Sequence, residues 1–494
     1  MVYFKNIAQG LGPVYNESSV FIEGFSSPLY TLLGSVFFSV FAENTDKMFL
    51  VWNLLLYLFF LRYIAFFLAI LGIKKPFSYL IILAIAIGHT ILYWSIFSLL
   101  ETGLWLIVFN IFTLELWLLI NKKRSSYGHI LVLTCLCVFT RPESYLLIPI
   151  VIILAYIYRI GYKRELLNLI ITWAASLAFL LITRYLIFGE LLPNTYYAKQ
   201  VPFDRKIYEY GKYLISYVRD FPLVLLVPPA ILYLVSGLTS RQKSIIWVAF
   251  SIAILLPLLG GIDHFEGSRF YLLYSPIFII AISVAIYKGL GNLGFDFSNK
   301  FYYSLVAVFI FCVLPSKNLL LFGYHDPIGK IEFEIVEQHK RIANNIKCMF
   351  GKGLPSVGIV AAGEFKYQYR GYVLDLVGLN HYEMARSETE RYSPPLAHVA
   401  FSKDILFDEQ VDLLLPTLMD KSAAEGINPG HIFHNEWIVR VLKNINKDEA
   451  FIEKFSEAIL ECDNCSDLLY GYFSNSYLKF LTDNQSNVNI TLIK

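Results

Sequence analysis

The sequence predicts a polytopic α-helical membrane protein with a C-terminal α/β domain. Three observations carry that prediction. Of the 494 residues, 56% are hydrophobic and only 16% charged, with a mean hydropathy of +0.55; soluble domains carry about a quarter of their residues as charges. The apolar residues are also clustered. They run in long blocks up to about Ser316, and after Gly323 the chain reads as an ordinary water-soluble domain. Finally, the loops between the blocks alternate in charge. A net charge of +2 gives no basic footprint for nucleic acid. No internal repeat or low-complexity tract is present.

A spanning helix needs roughly 20 mostly apolar residues, fewer where the bilayer thins. Ten stretches are read as spans: 48–73, 77–98, 103–121, 126–140, 144–160, 166–188, 221–238, 244–260, 270–288 and 301–316. The shorter segment 28–42, PLYTLLGSVFFSVFA, suits a helix lying at the interface. Cys135, Cys137 and Cys312 fall in apolar blocks and read as small buried hydrophobes.

Alternate loops carry Lys74 and Lys75; Lys122, Lys123 and Arg124; Lys163 and Arg164; Arg241 and Lys243; Lys288 and Lys300. The intervening loops SLLETG, TRPES and GGIDHFEGSR hold acids and two arginines. The positive-inside rule puts the first set in the cytoplasm. The N-terminus, the NTYYAK loop, DHFEGSR and the C-terminal domain then face outward. The organisation expected is an outer-face loop with an interfacial helix at 1–45, a transmembrane domain at 46–320 and an extracytoplasmic α/β domain at 324–494. MVYFKNIAQG has no apolar core of a signal peptide. A first membrane helix preceding Met1 is the simpler expectation for carrying this tail across.

The outward loops concentrate ionisable groups at helix ends: Glu23, Glu101, Arg141 with Glu143, Lys199, and Asp263, His264, Glu266 and Arg269. Any one of them could be a helix-end residue reaching for water. Together on one face they fit a cavity better, because charges near bilayer depth pair or line a cleft. Such a set suits transfer from an anionic, lipid-linked donor. Arg, Lys and tyrosine hydroxyls neutralise a departing phosphate, and a carboxylate within reach of the acceptor hydroxyl serves as base. A solute transporter would carry its charges near the midplane, on broken helices.

Taken in order, NIAQGLGPVYNESSVFIEGFSSPLYTLL, LETGL, TRPES, GELLPNTYYAK, GGIDHFEGSRF and VLDLVGLN resemble bacterial GT-C glycosyltransferases. The likeness is nearest to the terminal arabinofuranosyltransferases of cell-wall arabinan. More distantly the chain is similar to lipid A aminoarabinose transferases and protein O-mannosyltransferases. It runs over essentially the whole chain and is specific for the family, not for a substrate. The resemblance implies a GT-C-like enzyme of the bacterial cytoplasmic (inner) membrane. It would move a sugar from a polyprenyl-phosphate donor to a cell-envelope glycan or lipid acceptor on the outer face. It further implies an acidic pair at the end of the family's first helix, just before the text matching YFKNIAQG. With the chain starting at Met1, that helix and base are expected upstream. The competing classes are a flippase or transporter of lipid-linked sugars, and an N-terminally truncated, inactive homologue.

On this resemblance Tyr196, Tyr197 and Lys199 would form part of the donor-phosphate site with Arg269 opposite, while Pro193 and Asn194 shape the turn. The alternative is an interfacial aromatic belt with one snorkelling lysine. Asp263 and Glu23 are the catalytic candidates within the chain, Glu23 also being placed for sugar recognition. His264, Glu101 and Arg141 are candidates for sugar or acceptor binding. Asp263 and His264 could instead make a loop ion pair with Arg269, and Glu101 and Arg141 could simply pair with each other. No cofactor is assigned; a divalent cation is the one candidate, without a metal site.

In the C-terminal domain, helical IEFEIVEQHKRIANNIKCMF alternates with strand-like PSVGIVAAG, YVLDLVGL and VDLLLP. Asp375 and Asn380 of VLDLVGLN read as turn chemistry. His431 and His434, with Cys462 and Cys465, have neither the order nor the spacing of a familiar zinc site. A disulfide or free thiols is the expectation for the two cysteines.

Overall fold

The computed structural model describes residues 1–17, 20–121, 128–157, 163–237, 240–260, 268–294, 329–395, 398–420, 428–463, 465, 467–485 and 488–493. The chain forms two compact units. A sheet unit comprises Met1–Phe25, Ile187–Arg205 and Lys330–Lys494, and a helical unit comprises Ser26–Leu186 and Lys206–Gly329. These do not coincide with the expected segments 1–45, 46–320 and 324–494. The sheet unit gathers in the first 25 residues and the NTYYAK segment, for reasons of hydrogen bonding given below.

In the helical unit, Ser27 caps helix Pro28–Phe41 by accepting from the Tyr30 amide at 3.3 Å. Pro28 starts the helix with its φ already set. A 3₁₀ turn at Ala42–Asn44 leads into Thr45–Ile70. Among the described residues, four helices are long and apolar enough to cross a membrane: Pro28–Ile70 taken through its turn, Thr102–Ile120, Lys163–Phe188 and Ser275–Asn292. Phe203–Asp220 and Val224–Leu234 make a fifth if counted together across their 93° bend. Helix Thr102–Ile120 is buried on nearly every side, as expected of a helix that is apolar all round.

Ten spans were expected; within the described residues the stretches 77–98 and 221–238 are broken, each for a local cause. The stretch 77–98 breaks after helix Lys75–Ala86 and continues as His89–Leu92 and a π-helical turn, Tyr93–Phe97. Gly128–Thr140 and Ser144–Ile157 occupy the expected stretches 126–140 and 144–160 as far as those residues are described. The stretch 221–238 opens as a 3₁₀ turn at Pro222–Leu226, where proline sets the start. The expected span 301–316, with Cys312, lies outside the described residues. Of the other apolar-block cysteines, Cys137 is fully buried and Cys135 is half-buried.

The sheet unit is built on one six-stranded mixed sheet in the order β2-β1-β3-β5-β4-β6. Its strands are β1 (Val357–Ile359), β2 (Val373–Asp375), β3 (Leu413–Met419), β4 (Phe455–Cys462), β5 (Leu468–Ser474) and β6 (Val488–Leu492). The first three run parallel and the rest pair antiparallel. Helix Lys330–Phe350 buries Ile342, Ile346 and Met349 in a core that includes Val357, Leu413 and Phe473. The N-terminal residues close the β2 edge. The Asn16 amide donates to the Val373 carbonyl and accepts from its N–H, both at 3.0 Å. One side chain thus stands where a neighbouring strand would, protecting an edge that could otherwise recruit another chain.

Candidate functional site

Within the helical unit, local distortions bring a set of charges together. Leu99 and Ser268 adopt φ of 50° and 49° without being glycine. Gly103 sits so close to the π-helical turn that a Cβ would stand 2.5 Å from the Ser95 carbonyl oxygen. This close approach packs the first turn of Thr102–Ile120, which follows Glu101, against the π-helical turn. π-turns and left-handed non-glycine residues are strained conformations that accumulate at functional sites.

Arg141 lies between helices Gly128–Thr140 and Ser144–Ile157 and is almost fully buried. Its Nε and Nη2 donate to the two oxygens of Glu143 at 3.0 and 2.6 Å, and its Nη1 donates to Glu101. The Ser26 hydroxyl donates to the same Glu101 oxygen at 3.2 Å. Arg269, also buried, interacts electrostatically with Glu101. Its guanidinium carbon lies 5.3 Å from the Trp94 ring and 5.3 Å from Phe270, while that of Arg141 lies 5.2 Å from Phe270. Two guanidiniums, two carboxylates and two aromatic faces therefore occupy one site. The Phe270 amide donates to the Tyr213 hydroxyl at 3.0 Å. Tyr213 and Tyr217 stack on Tyr271 at 5.4 and 4.6 Å, fixing the segment that carries Arg269.

The sheet unit holds the other expected residues. Tyr196 is exposed, and Lys199 is half-buried at the end of the short helix Asn194–Ala198. The Tyr197 hydroxyl donates to Glu190 Oε2 at 3.1 Å. Glu190 Oε1 accepts from Tyr382 at 2.8 Å and pairs with Arg386 at 3.0 Å. Arg386 lies 4.0 Å from the Tyr197 ring and 3.7 Å from that of Tyr382. Desolvation pushes the Glu190 carboxyl up, but the Tyr382 hydrogen bond and Arg386 outweigh it and hold it below its ordinary value. Asn194 donates to the carbonyls of Gly378, Leu379 and His381 at 2.9, 3.0 and 3.2 Å, and accepts from Arg386 at 2.6 Å. These bonds stitch GELLPNTYYAK to the residues that follow VLDLVGLN.

Glu23 is buried in the same unit, and its carbonyl accepts from the Asn194 amide at 3.0 Å. Asp375 closes the turn after β2. It accepts from the Val377 amide and from both the amide and side chain of Asn380, at 3.1, 2.9 and 2.8 Å. Burial raises the Asp375 carboxyl above its ordinary value. Asn380 Oδ1 accepts from Tyr3 at 3.0 Å, and the Gly24 amide donates to the Tyr3 hydroxyl at 3.2 Å. Three separated motifs thus meet at Glu23–Gly24, Asn194 and Asp375–Asn380. A Cβ on Gly24 would stand 2.1 Å from Asn380 Oδ1.

Glu101, Arg141 and Arg269 come together in the helical unit; Glu23, Tyr196, Tyr197 and Lys199 belong to the sheet unit. Asp263 and His264 lie outside the described residues. His431 and His434 stand with ring centroids 5.8 Å apart, and among the described residues no group of three or more His, Cys, Asp or Glu could hold a metal ion. Sequence reasoning missed a second polar cluster. Glu115, buried within Thr102–Ile120, accepts from the Tyr63 hydroxyl and lies 2.7 Å from His129 Nε2. Its signal was in view: a lone acid in the apolar text TLELWLL. In comparisons with known proteins, no protein-family model, curated protein or solved structure matches the chain.

Proposed function

We propose that the chain is a GT-C-like glycosyltransferase of the bacterial cytoplasmic membrane. It moves a sugar from a polyprenyl-phosphate donor to a glycan or lipid acceptor on the outer face. The observation that carries this reading is the buried Arg269–Glu101–Arg141–Glu143 cluster beside Trp94 and Phe270. Arg141 is saturated by carboxylates, so its role is to hold Glu101 and Glu143 in place. Arg269 lies against two aromatic faces and gives a cation to a lipid phosphate whose prenyl chain prefers an apolar wall. Glu101, held by Arg141 and Ser26, faces sugar or acceptor hydroxyls. Asp263 is the loop carboxylate proposed as base, and His264 is proposed to bind the acceptor. The orientation comes from the basic loops, with residues 324–494 outside the cytoplasm.

The test is sugar transfer from labelled polyprenyl-phosphate sugars in membranes containing the full chain. Arg269→Ala is expected to lower transfer by about ten- to a hundredfold, the worth of one charge-assisted contact. Unchanged transfer in a folded variant would refute the role of Arg269. A second reading rests on a different observation. Glu115 and Tyr63 lie on two membrane-length helices, with His129 on the shorter helix beside them, and ionisable groups at such depth commonly serve a transport path. Glu115→Gln that stops flipping of a lipid-linked sugar, with Arg269→Ala silent, would favour the transporter.

A further inference from the structure

Helix Lys330–Phe350 presents Arg341, Asn345 and Cys348 along one face, at the spacing that places side chains one above another. The first two grip the β4–β5 hairpin. Arg341 Nη2 lies 3.3 Å from Asp467 Oδ1, and Asn345 donates to the Asp467 carbonyl at 3.0 Å. One turn further, Cys348 meets the tip of the same hairpin. The Cys465 thiol is within hydrogen-bonding range of both the Cys348 and Cys462 thiols. The Cys465 amide also donates to the Cys462 carbonyl at 3.1 Å, which folds the Cys-x-x-Cys turn. Three thiols from two elements distant in sequence therefore meet at one point. Their accessibility is graded: Cys348 is exposed, Cys465 half-buried and Cys462 buried.

We propose that Cys348, Cys465 and Cys462 form a thiol–disulfide exchange site, in which an external disulfide oxidises the Cys348–Cys465 pair and Cys462 remains a thiol. The exposed Cys348 thiolate attacks a sulfur of the oxidant, forming a mixed disulfide and releasing one thiolate. Cys465 then attacks the Cys348 sulfur, forming the Cys348–Cys465 bond and releasing the second. The two cysteine protons pass to the two departing thiolates, so one disulfide is reduced as one is made. Attack through a mixed disulfide requires access for the first thiol and contact for the second, which is the order that the burial supplies. Burial, followed by hydrogen bonding to the two neighbouring thiols, holds the Cys465 thiol well above its ordinary value. The product would clamp helix Lys330–Phe350 to the β4–β5 hairpin. It does so whichever reaction the chain carries out.

The experiment uses the full chain in detergent, treated with oxidised glutathione, unfolded, alkylated and digested without reductant for mass spectrometry. The expected product is a peptide joined through Cys348 and Cys465, with Cys462 alkylated. Cys462→Ala should leave that linkage intact, and Cys348→Ser should abolish it. Because Cys348 is exposed, Cys348→Ser is expected to fold, and circular dichroism checks that it does. A Cys462–Cys465 linkage in the unsubstituted chain would overturn the proposal. So would three alkylated cysteines after oxidation, or glutathione retained on Cys348.

Discussion

Arg141 commits three nitrogens to two carboxylates. Removing it would leave Glu143 a nearly buried charge without its guanidinium partner, and Glu101 with Ser26 and Arg269 alone. Breaking one side of such a pair costs about 3–5 kcal/mol. Arg141→Ala should therefore lower the unfolding midpoint of the detergent-solubilised chain by several degrees, and adding Glu143→Gln should restore part of the loss. An unchanged midpoint would mean that the cluster does not organise this region. Lys366 makes a prediction of opposite character. Burial lowers its ammonium from 10.5 to about 8, while Nζ donates to the Gly371 carbonyl at 2.9 Å. Between those values the unfolded chain binds a proton that the folded chain lacks, so this group adds stability as pH rises through the window and loses it as pH falls through about 8. The unfolding midpoint of the wild type minus that of Lys366→Met should therefore rise from pH 7.5 to 9.5; a flat or falling difference contradicts the burial of the ammonium.

At the scale of elements, the NTYYAK segment belongs with the sheet because Asn194 satisfies three backbone carbonyls and Arg386 at once. Asn194→Ala removes those bonds at a net loss of about 1–3 kcal/mol. Limited proteolysis within 187–205 should accelerate, and an unaltered cleavage rate would show that the segment is held by other contacts. This partnership was not legible in the sequence, since Asn194 and Arg386 lie 192 positions apart and neither stands out locally. Helix Lys330–Phe350 was legible from its long amphipathic period, and β1, β2 and β3 from short apolar runs between turns. β5, with LLYGYF buried on both faces between β3 and β4, shows no alternation of apolar and polar residues to announce it. The charged loops around Glu101, Arg141 and Arg269 were visible because acids and arginines are scarce in that half of the chain. The pairing of Glu101 with Arg141 was among the expectations and is present, whereas the placement of Arg269 against Trp94 of the π-helical turn was not legible.

At the scale of the molecule, a helical unit with membrane-length helices accompanies a mixed-sheet unit. The proposed orientation puts residues 324–494 outside the cytoplasm. A C-terminal alkaline phosphatase fusion should then be active and a green fluorescent protein fusion dark; the reverse pattern would refute an outward-facing site. The central claim is that the cluster around Arg269 receives a lipid-linked phosphate. It is tested most directly by equilibrium binding of a polyprenyl phosphate and the matching polyprenol to the purified full chain, with and without Arg269→Ala. The account predicts that the phosphate binds more tightly than the alcohol, and that Arg269→Ala weakens the phosphate alone by about ten- to a hundredfold. Equal affinity for phosphate and alcohol, or an unchanged phosphate affinity in a folded variant, would contradict it.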